Sequence, residues 1–393
     1  MRFLLRMVTI LLGLSIVLIS GMLIVNRWHN PDPDWIAYIA TQGGFYDIYR
    51  MNPDGSEQQR LTTRQRIRSA IQWSPDGQWL GVEMDDSGFT RLYKIPLTGK
   101  NPRRLETHLR SSRDIAWSPD GAWIAFTGST FDQSLSSGLD LYRVGARKTD
   151  PQLLTDDVQD FRLPSYSSPV WSPDGQWIAY CSVQQNGSYR VLRVRSNGED
   201  RQSLARLENC YFNWSPDSQW IVFSTRTGED WNLHRLNANN SAPEQITDLP
   251  GTAWLPVYSP DGRWIYFLYS RPADHYTYYL HRIPSEGGEP EKLSDYPVDG
   301  LFTLSSDGQW AAFTSQERFS SALYRLSLKD GRIQRLTDGR YQILFPSWSP
   351  AADFPYASGI MLVLGLLLIL VGVISSLRKN STIERSAKSF RLR

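Results

Sequence analysis

Between residues 35 and 348 the chain alternates short apolar runs with clusters of Gly, Pro, Asn, Asp and Ser, the pattern of many short strands separated by tight turns. The alternation is periodic. Trp73-Ser74-Pro75-Asp76-Gly77-Gln78-Trp79 recurs as 117–123, 171–177 and 214–220, and in drifted form as 258–264 and 304–310; a truncated copy, Trp348-Ser349-Pro350, follows. The copies start 44, 54, 43, 44, 46 and 44 residues apart. A period in the forties built from strand-like segments predicts a circular array of four-stranded sheets.

Each repeat reads as four strands. The first ends at the leading aromatic, and a Ser-Pro-Asp-Gly turn follows, in which Pro presets φ and Gly accepts a positive φ. The second strand starts at the second Trp, as in Trp177-Ile178-Ala179-Tyr180. The third carries an apolar–aromatic–basic–apolar run seven times, from Ile48-Tyr49-Arg50-Met51 to Leu323-Tyr324-Arg325-Leu326, and the fourth closes on pairs such as Leu61-Thr62 and Leu336-Thr337. The chain enters this pattern at Asn30–Trp35, between strands one and two, and leaves it after strand one at Trp348-Ser349-Pro350. The two fragments complement each other. The predicted fold is therefore all-β: a seven-bladed β-propeller of four-stranded blades over 30–350, whose composite closing blade pairs the last strand with the first.

Outside the repeat lie two uncharged stretches of 19 residues, Met7–Val25 and Gly359–Leu377, each long enough to predict a transmembrane helix. The expected segments are 1–29 for a cytoplasmic N-terminus and first helix, 351–377 for a linker and second helix, and 378–393 for a basic tail. Arg378, Lys379, Arg385, Lys388, Arg391 and Arg393 place that tail inside by the positive-inside rule. Both termini are then cytoplasmic, in a bacterial inner membrane with the propeller outside it and the lipid bilayer as a partner. With 42 basic and 40 acidic residues in all, removing the basic ends leaves a mildly acidic middle with no electrostatic claim on nucleic acid.

The repeated Trp-Ser-Pro-Asp-Gly-x-Trp-Ile-Ala-Tyr, with Leu-Tyr-Arg and Leu-Thr downstream, resembles the WD-like propeller repeat of TolB-type periplasmic proteins. It is also similar to the propellers of dipeptidyl and prolyl peptidases. The resemblance covers roughly residues 30–350. TolB-type proteins usually have six blades and a small α/β domain, whereas the spacing here predicts seven blades. The hydrolase elbow Gly-x-Ser-x-Gly of the peptidases does not occur.

Most repeated residues read as structure. The seven second-strand tryptophans, Trp35 to Trp310, are expected to pack the core; the turn aspartates, Asp76 to Asp307, to accept backbone N–H bonds; and the third-strand bases to form outer-strand ion pairs. Cys181, on a second strand, and Cys210, on the next first strand, are close enough in this arrangement to form a disulfide outside the cytoplasm, with two buried free thiols as the preferred expectation. Five histidines and no clustered carboxylates offer no catalytic, metal or cofactor constellation. Function is expected where the repeat breaks: the longer stretches 130–139, with Phe131, and 156–168; the run around His275 and Tyr276; and Arg68, Arg113, Asp114, Tyr166, Trp254 and Asp299, which precede innermost strands at the channel mouth. These features predict a non-enzymatic, membrane-tethered scaffold that binds a protein through the face away from the Ser-Pro-Asp-Gly turns. The alternatives are a carbohydrate-binding or polysaccharide-degrading propeller, or a structural subunit of a membrane complex.

Overall fold

The computed structural model describes residues 34–350 except 107, 132–138, 156–168, 184–187, 240–241 and 319, and one compact unit spans Asp34–Ala351. Among the described residues the strands form six sheets, five of four strands and antiparallel throughout and one of eight. The eight-stranded sheet consists of two four-stranded halves joined by a single parallel pairing of Trp231 with Thr252. One short 3₁₀ helix, Pro272–Asp274, interrupts the strands.

The Ser-Pro-Asp-Gly segment is a self-contained hydrogen-bonded turn. In its first copy Ser74 Oγ donates to Asp76 Oδ1 (2.5 Å) and accepts the Trp79 N–H (2.9 Å), while Asp76 Oδ1 also accepts the Gln78 N–H (3.0 Å). Gly77, at φ +65°, turns its N–H onto the Ser74 carbonyl, a backbone state that suits glycine. The same bonds recur around Ser118, Ser172, Ser215, Ser259 and Ser305. The aspartates therefore do what the sequence leads one to expect.

At the chain ends this turn is rebuilt from two distant pieces. Strand Gln342–Trp348 pairs antiparallel with Ile36–Gln42, Trp348 opposite Ile36. The Trp35 N–H donates to Ser349 Oγ (2.9 Å) and the Ser349 N–H to the Trp35 carbonyl (2.8 Å) across 314 residues. The closing pair thus hides two strand edges, and its apolar side chains, among them Ile36, Tyr38, Ile343 and Trp348, pack with Ala312 and Leu323 of the neighbouring sheet.

The third-strand base and the second-strand tryptophan form a second sevenfold device. Arg50 lies 4.1 Å from the Trp35 ring, Arg143 4.1 Å from Trp123, Arg193 3.9 Å from Trp177, Arg235 4.4 Å from Trp220, Arg282 4.4 Å from Trp264 and Arg325 4.3 Å from Trp310; Lys94 lies 4.7 Å from Trp79. These tryptophans are half-buried: six of them, all but Trp79, pack against a core cluster as expected, and what the expectation lacked is the cation that lies over the ring. Ion pairing is corrected: four of the arginines donate instead to a fourth-strand amide, Gln59, Gln152, Gln202 or Gln334, and only Arg235 and Arg282 meet a carboxylate, Glu244 and Glu291. Several of the bases also reach a main-chain oxygen of the next repeat, Lys94 that of Ala146, Arg143 that of Ser196 and Arg235 that of Ser285.

Two further expectations change. Cys181 and Cys210 form a disulfide, with Cα atoms 5.9 Å apart, because the second strand of one repeat lies beside the entry to the first strand of the next. Among the described residues no helix is long and apolar enough to cross a membrane, so the expected two-helix location in a bacterial inner membrane, with lipid as a partner, is corrected. Stretches 7–25 and 359–377, on which that expectation rested, lie outside the described residues. The disulfide closes a segment of 29 residues, so replacing both cysteines by alanine is expected to cost about 3–4 kcal/mol in equilibrium urea unfolding. Reductant should then weaken the native chain and leave the double variant unchanged.

Candidate functional site

First strands from all seven sequence repeats line a central cavity of about 860 Å³. Its wall includes the leading aromatics Trp73, Trp117, Trp171, Trp214, Tyr258 and Trp348, several of which fasten neighbouring repeats together. Trp73 Nε1 donates to the Ser347 carbonyl (3.0 Å), Trp171 Nε1 to Ala116 (3.2 Å) and Trp214 Nε1 to Val170 (3.2 Å). The wall is mostly apolar. Among the described residues its one carboxylate is Glu83.

Glu83 sits on strand Trp79–Asp86, four residues after the tryptophan, in a slot filled elsewhere by Ile39, Thr127, Cys181, Ser224, Leu268 and Thr314. It is buried, as is Asp114 on strand Ser111–Trp117 of the next repeat. The Asp114 N–H donates to Glu83 Oε1 (2.8 Å), Thr127 Oγ1 donates to Asp114 Oδ2 (2.7 Å), and the Glu83 N–H is held by Ser69 Oγ (3.2 Å). A bulge between Arg113 and Ala116 makes this meeting possible and puts Asp114 at φ +58°. Leu255 and Phe345, three residues before their own leading aromatics, share that left-handed state, so the strain belongs to the first-strand bulge.

Burial drives both carboxyls upward. Loss of water and the adjacent Asp114 charge push Glu83 up to about 8, opposed by the Asp114 N–H, the Arg113 guanidinium and Ser69. Asp114 is raised by burial too, against the Thr127 hydroxyl and Arg113. One carboxyl of the pair therefore stays protonated near neutrality and can act as a donor on the cavity wall.

Of the residues singled out from sequence, Arg68, Arg113 and Asp114 come together here: the Arg68 N–H donates to the Glu83 carbonyl (2.9 Å), and its side chain pairs with Asp85 (2.5 Å). Trp254 stands elsewhere, 4.7 Å from Tyr211 and 5.2 Å from Trp231, ring to ring. Asp299 is exposed, its backbone exchanging hydrogen bonds with Thr314. His275 and Tyr276 follow the 3₁₀ turn in left-handed conformation, and Tyr276 is 83% exposed. Phe131, 63% exposed, meets Phe89 edge-on at 6.4 Å. Tyr166, with all of 156–168 and most of 130–139, lies outside the described residues. Of six exposed large hydrophobic side chains among the described residues, Phe131 and Tyr276 sit on connections between second and third strands, and Tyr46 and Phe89 at the start of the third strands Phe45–Met51 and Phe89–Pro96, at the end away from the Ser-Pro-Asp-Gly turns. No group of three or more His, Cys, Asp or Glu side chains among the described residues is placed to hold a metal.

Residues 158–352 match the family described as the TolB beta propeller domain, and 99–136 match the WD domain, G-beta repeat. Over residues 158–352 the chain thus resembles TolB-type β-propellers. An uncharacterised protein of Agrobacterium fabrum is 31% identical over 195 residues, which are 46% of this chain and 66% of that one. Dipeptidyl-peptidase 5 of Porphyromonas gingivalis is 22% identical over 243 residues, 60% of this chain and 28% of the peptidase. The chain thus spans less than two thirds of either relative. The crystal structure of TolB from Acinetobacter baumannii superposes with a TM-score of 0.53 at 16% identity, over 81% of this chain and 67% of that one, a likeness of fold.

The raised carboxyl of Glu83 sets a pH dependence. An acid whose folded pKa lies above its unfolded value binds more protons in the folded state, so its contribution to stability is complete below the unfolded pKa, near 4.5, and is lost as pH rises towards about 8. Glu83→Gln keeps the hydrogen-bonding shape without the charge. Melting curves at pH 5 and pH 9 should show the native chain losing more stability across that range than the Glu83→Gln variant.

Proposed function

We propose that this TolB-type propeller is a non-enzymatic, seven-bladed scaffold that binds a protein partner on the face away from its Ser-Pro-Asp-Gly turns. The eight-stranded sheet counts as two blades in this reading, which gives each sequence repeat one blade. The observation that carries the proposal is the exposure of Tyr46, Phe89, Phe131 and Tyr276 on second-to-third-strand connections or at the third-strand ends beside them, Phe89 and Phe131 in ring contact. Large rings are costly to leave in water, and aromatic residues are enriched in protein interfaces. The repeated residues of the opposite face are already engaged: Ser and Asp by the turn, Trp by its cation, and most of the cations by an amide, a carboxylate or a main-chain oxygen. Connections on a rigid ring can vary without disturbing the sheets beneath them.

The test is site-specific photocrosslinking in the native host, with benzoylphenylalanine at Phe131 or Tyr276 compared with Lys329, an exposed residue of a third-to-fourth-strand turn on the other face. Discrete adducts from the first two positions, absent from the third, are expected. Adducts of equal yield from both faces, or from Lys329 alone, would contradict the proposal.

A further inference from the structure

The sevenfold base device has one exception, in the second repeat. In every repeat the third-strand base lies directly opposite a fourth-strand residue nine positions on: Arg50 opposite Gln59, Arg143 opposite Gln152, Arg193 opposite Gln202, Arg235 opposite Glu244, Arg282 opposite Glu291 and Arg325 opposite Gln334. In six of the seven that residue is an acceptor. In the second repeat Lys94 lies opposite Arg103, and both cations face one indole, 4.7 and 5.5 Å from Trp79. Like charges directly across an antiparallel pair oppose folding.

A third cation adds to the cluster. Lys94 is buried and donates to the main-chain oxygen of Ala146, which brings it beside Arg147 of the next repeat. Arg103 and Arg147 are exposed, and among the described residues neither is paired with a carboxylate. The only acid acting on Lys94 is Asp76, already held by Ser74 and the Gln78 N–H of its own turn. Burial, Arg103 and Arg147 all pull the Lys94 pKa down, the direction expected of a cation that lacks a counter-charge.

We propose that Lys94, Arg103 and Arg147 form a binding site for a phosphate-type oxyanion at the seam between the second and third repeats, the anion taking the place that Gln or Glu fills in the other six. A phosphoryl group offers several acceptor oxygens and up to two negative charges, enough to accept from a lysine and two guanidinium groups together. The indole of Trp79 forms the floor. The site is independent of the aromatic face proposed above, since it lies beside the turn that precedes Trp79.

The test compares thermal melts of the full chain in inorganic phosphate, in glycerol 3-phosphate and in chloride, at equal ionic strength and pH. A saturable rise of about 2–5 °C over chloride is expected in phosphate. A rise in both phosphate arms means that the phosphoryl group alone is recognised, and a rise with the ester alone means that its carrier takes part; either supports the site. Arg103→Gln restores the acceptor of the other repeats, so it should raise the melting temperature in chloride and remove the phosphate increment, while Arg147→Gln should weaken that increment. Equal melting of the native chain in all three buffers, or an undiminished phosphate response in Arg103→Gln, would overturn the proposal.

Discussion

The structure depends on one pairing, that of Gln342–Trp348 with Ile36–Gln42. Without it the ring of sheets would end in two strands whose amides and carbonyls face water, and the apolar side chains between the first and last sheets would lose a wall. The pairing is specified twice. Strand register sets Trp348 opposite Ile36, and the Ser349–Trp35 bonds rebuild the turn that the other repeats make within one continuous segment. Closure thus reuses a local element whose geometry the sequence already encodes six times over.

A closed ring still needs its sheets held to one another, and two sets of side chains do this. Near the axis, the leading tryptophans Trp73, Trp171 and Trp214 donate across three of the seams to the main chain of the preceding repeat. Further out, a base lies on the second-strand tryptophan and reaches the next repeat's main chain, as Arg235 does to Ser285. A cation over an indole contributes roughly 0.5–2 kcal/mol according to burial, a modest amount once and a substantial one repeated round the ring. The disulfide reinforces one seam of the same kind.

The fold was legible because its signals are local and repeated: Ser, Pro, Asp and Gly each have a separate task in the turn, and seven copies in register leave little choice of architecture. The mismatch between where the chain enters and leaves the repeat carried the closing pair as well. What periodicity hid was the environment of individual side chains. A base on the strand beside a tryptophan reads as an ion-pairing residue until the sheet puts it on the ring, and the repeat brings Cys181 near Cys210 without deciding between thiols and the disulfide that forms. Glu83 was missed although its signal was present, a carboxylate in a slot otherwise filled by Ile, Thr, Cys, Ser and Leu. Its partner Asp114 was found for its place before the leading aromatic, but their contact needs a bulge that no local motif announces.

Hydrogen exchange at the closing pair tests this account most directly. The amides of Ile36–Gln42 should exchange as slowly as those of the equivalent second strands Trp79–Asp86 and Trp177–Val183, because all three lie between two hydrogen-bonded neighbours. Exchange in Ile36–Gln42 a hundredfold faster than in those strands, the behaviour of an open edge, would contradict ring closure by the chain ends.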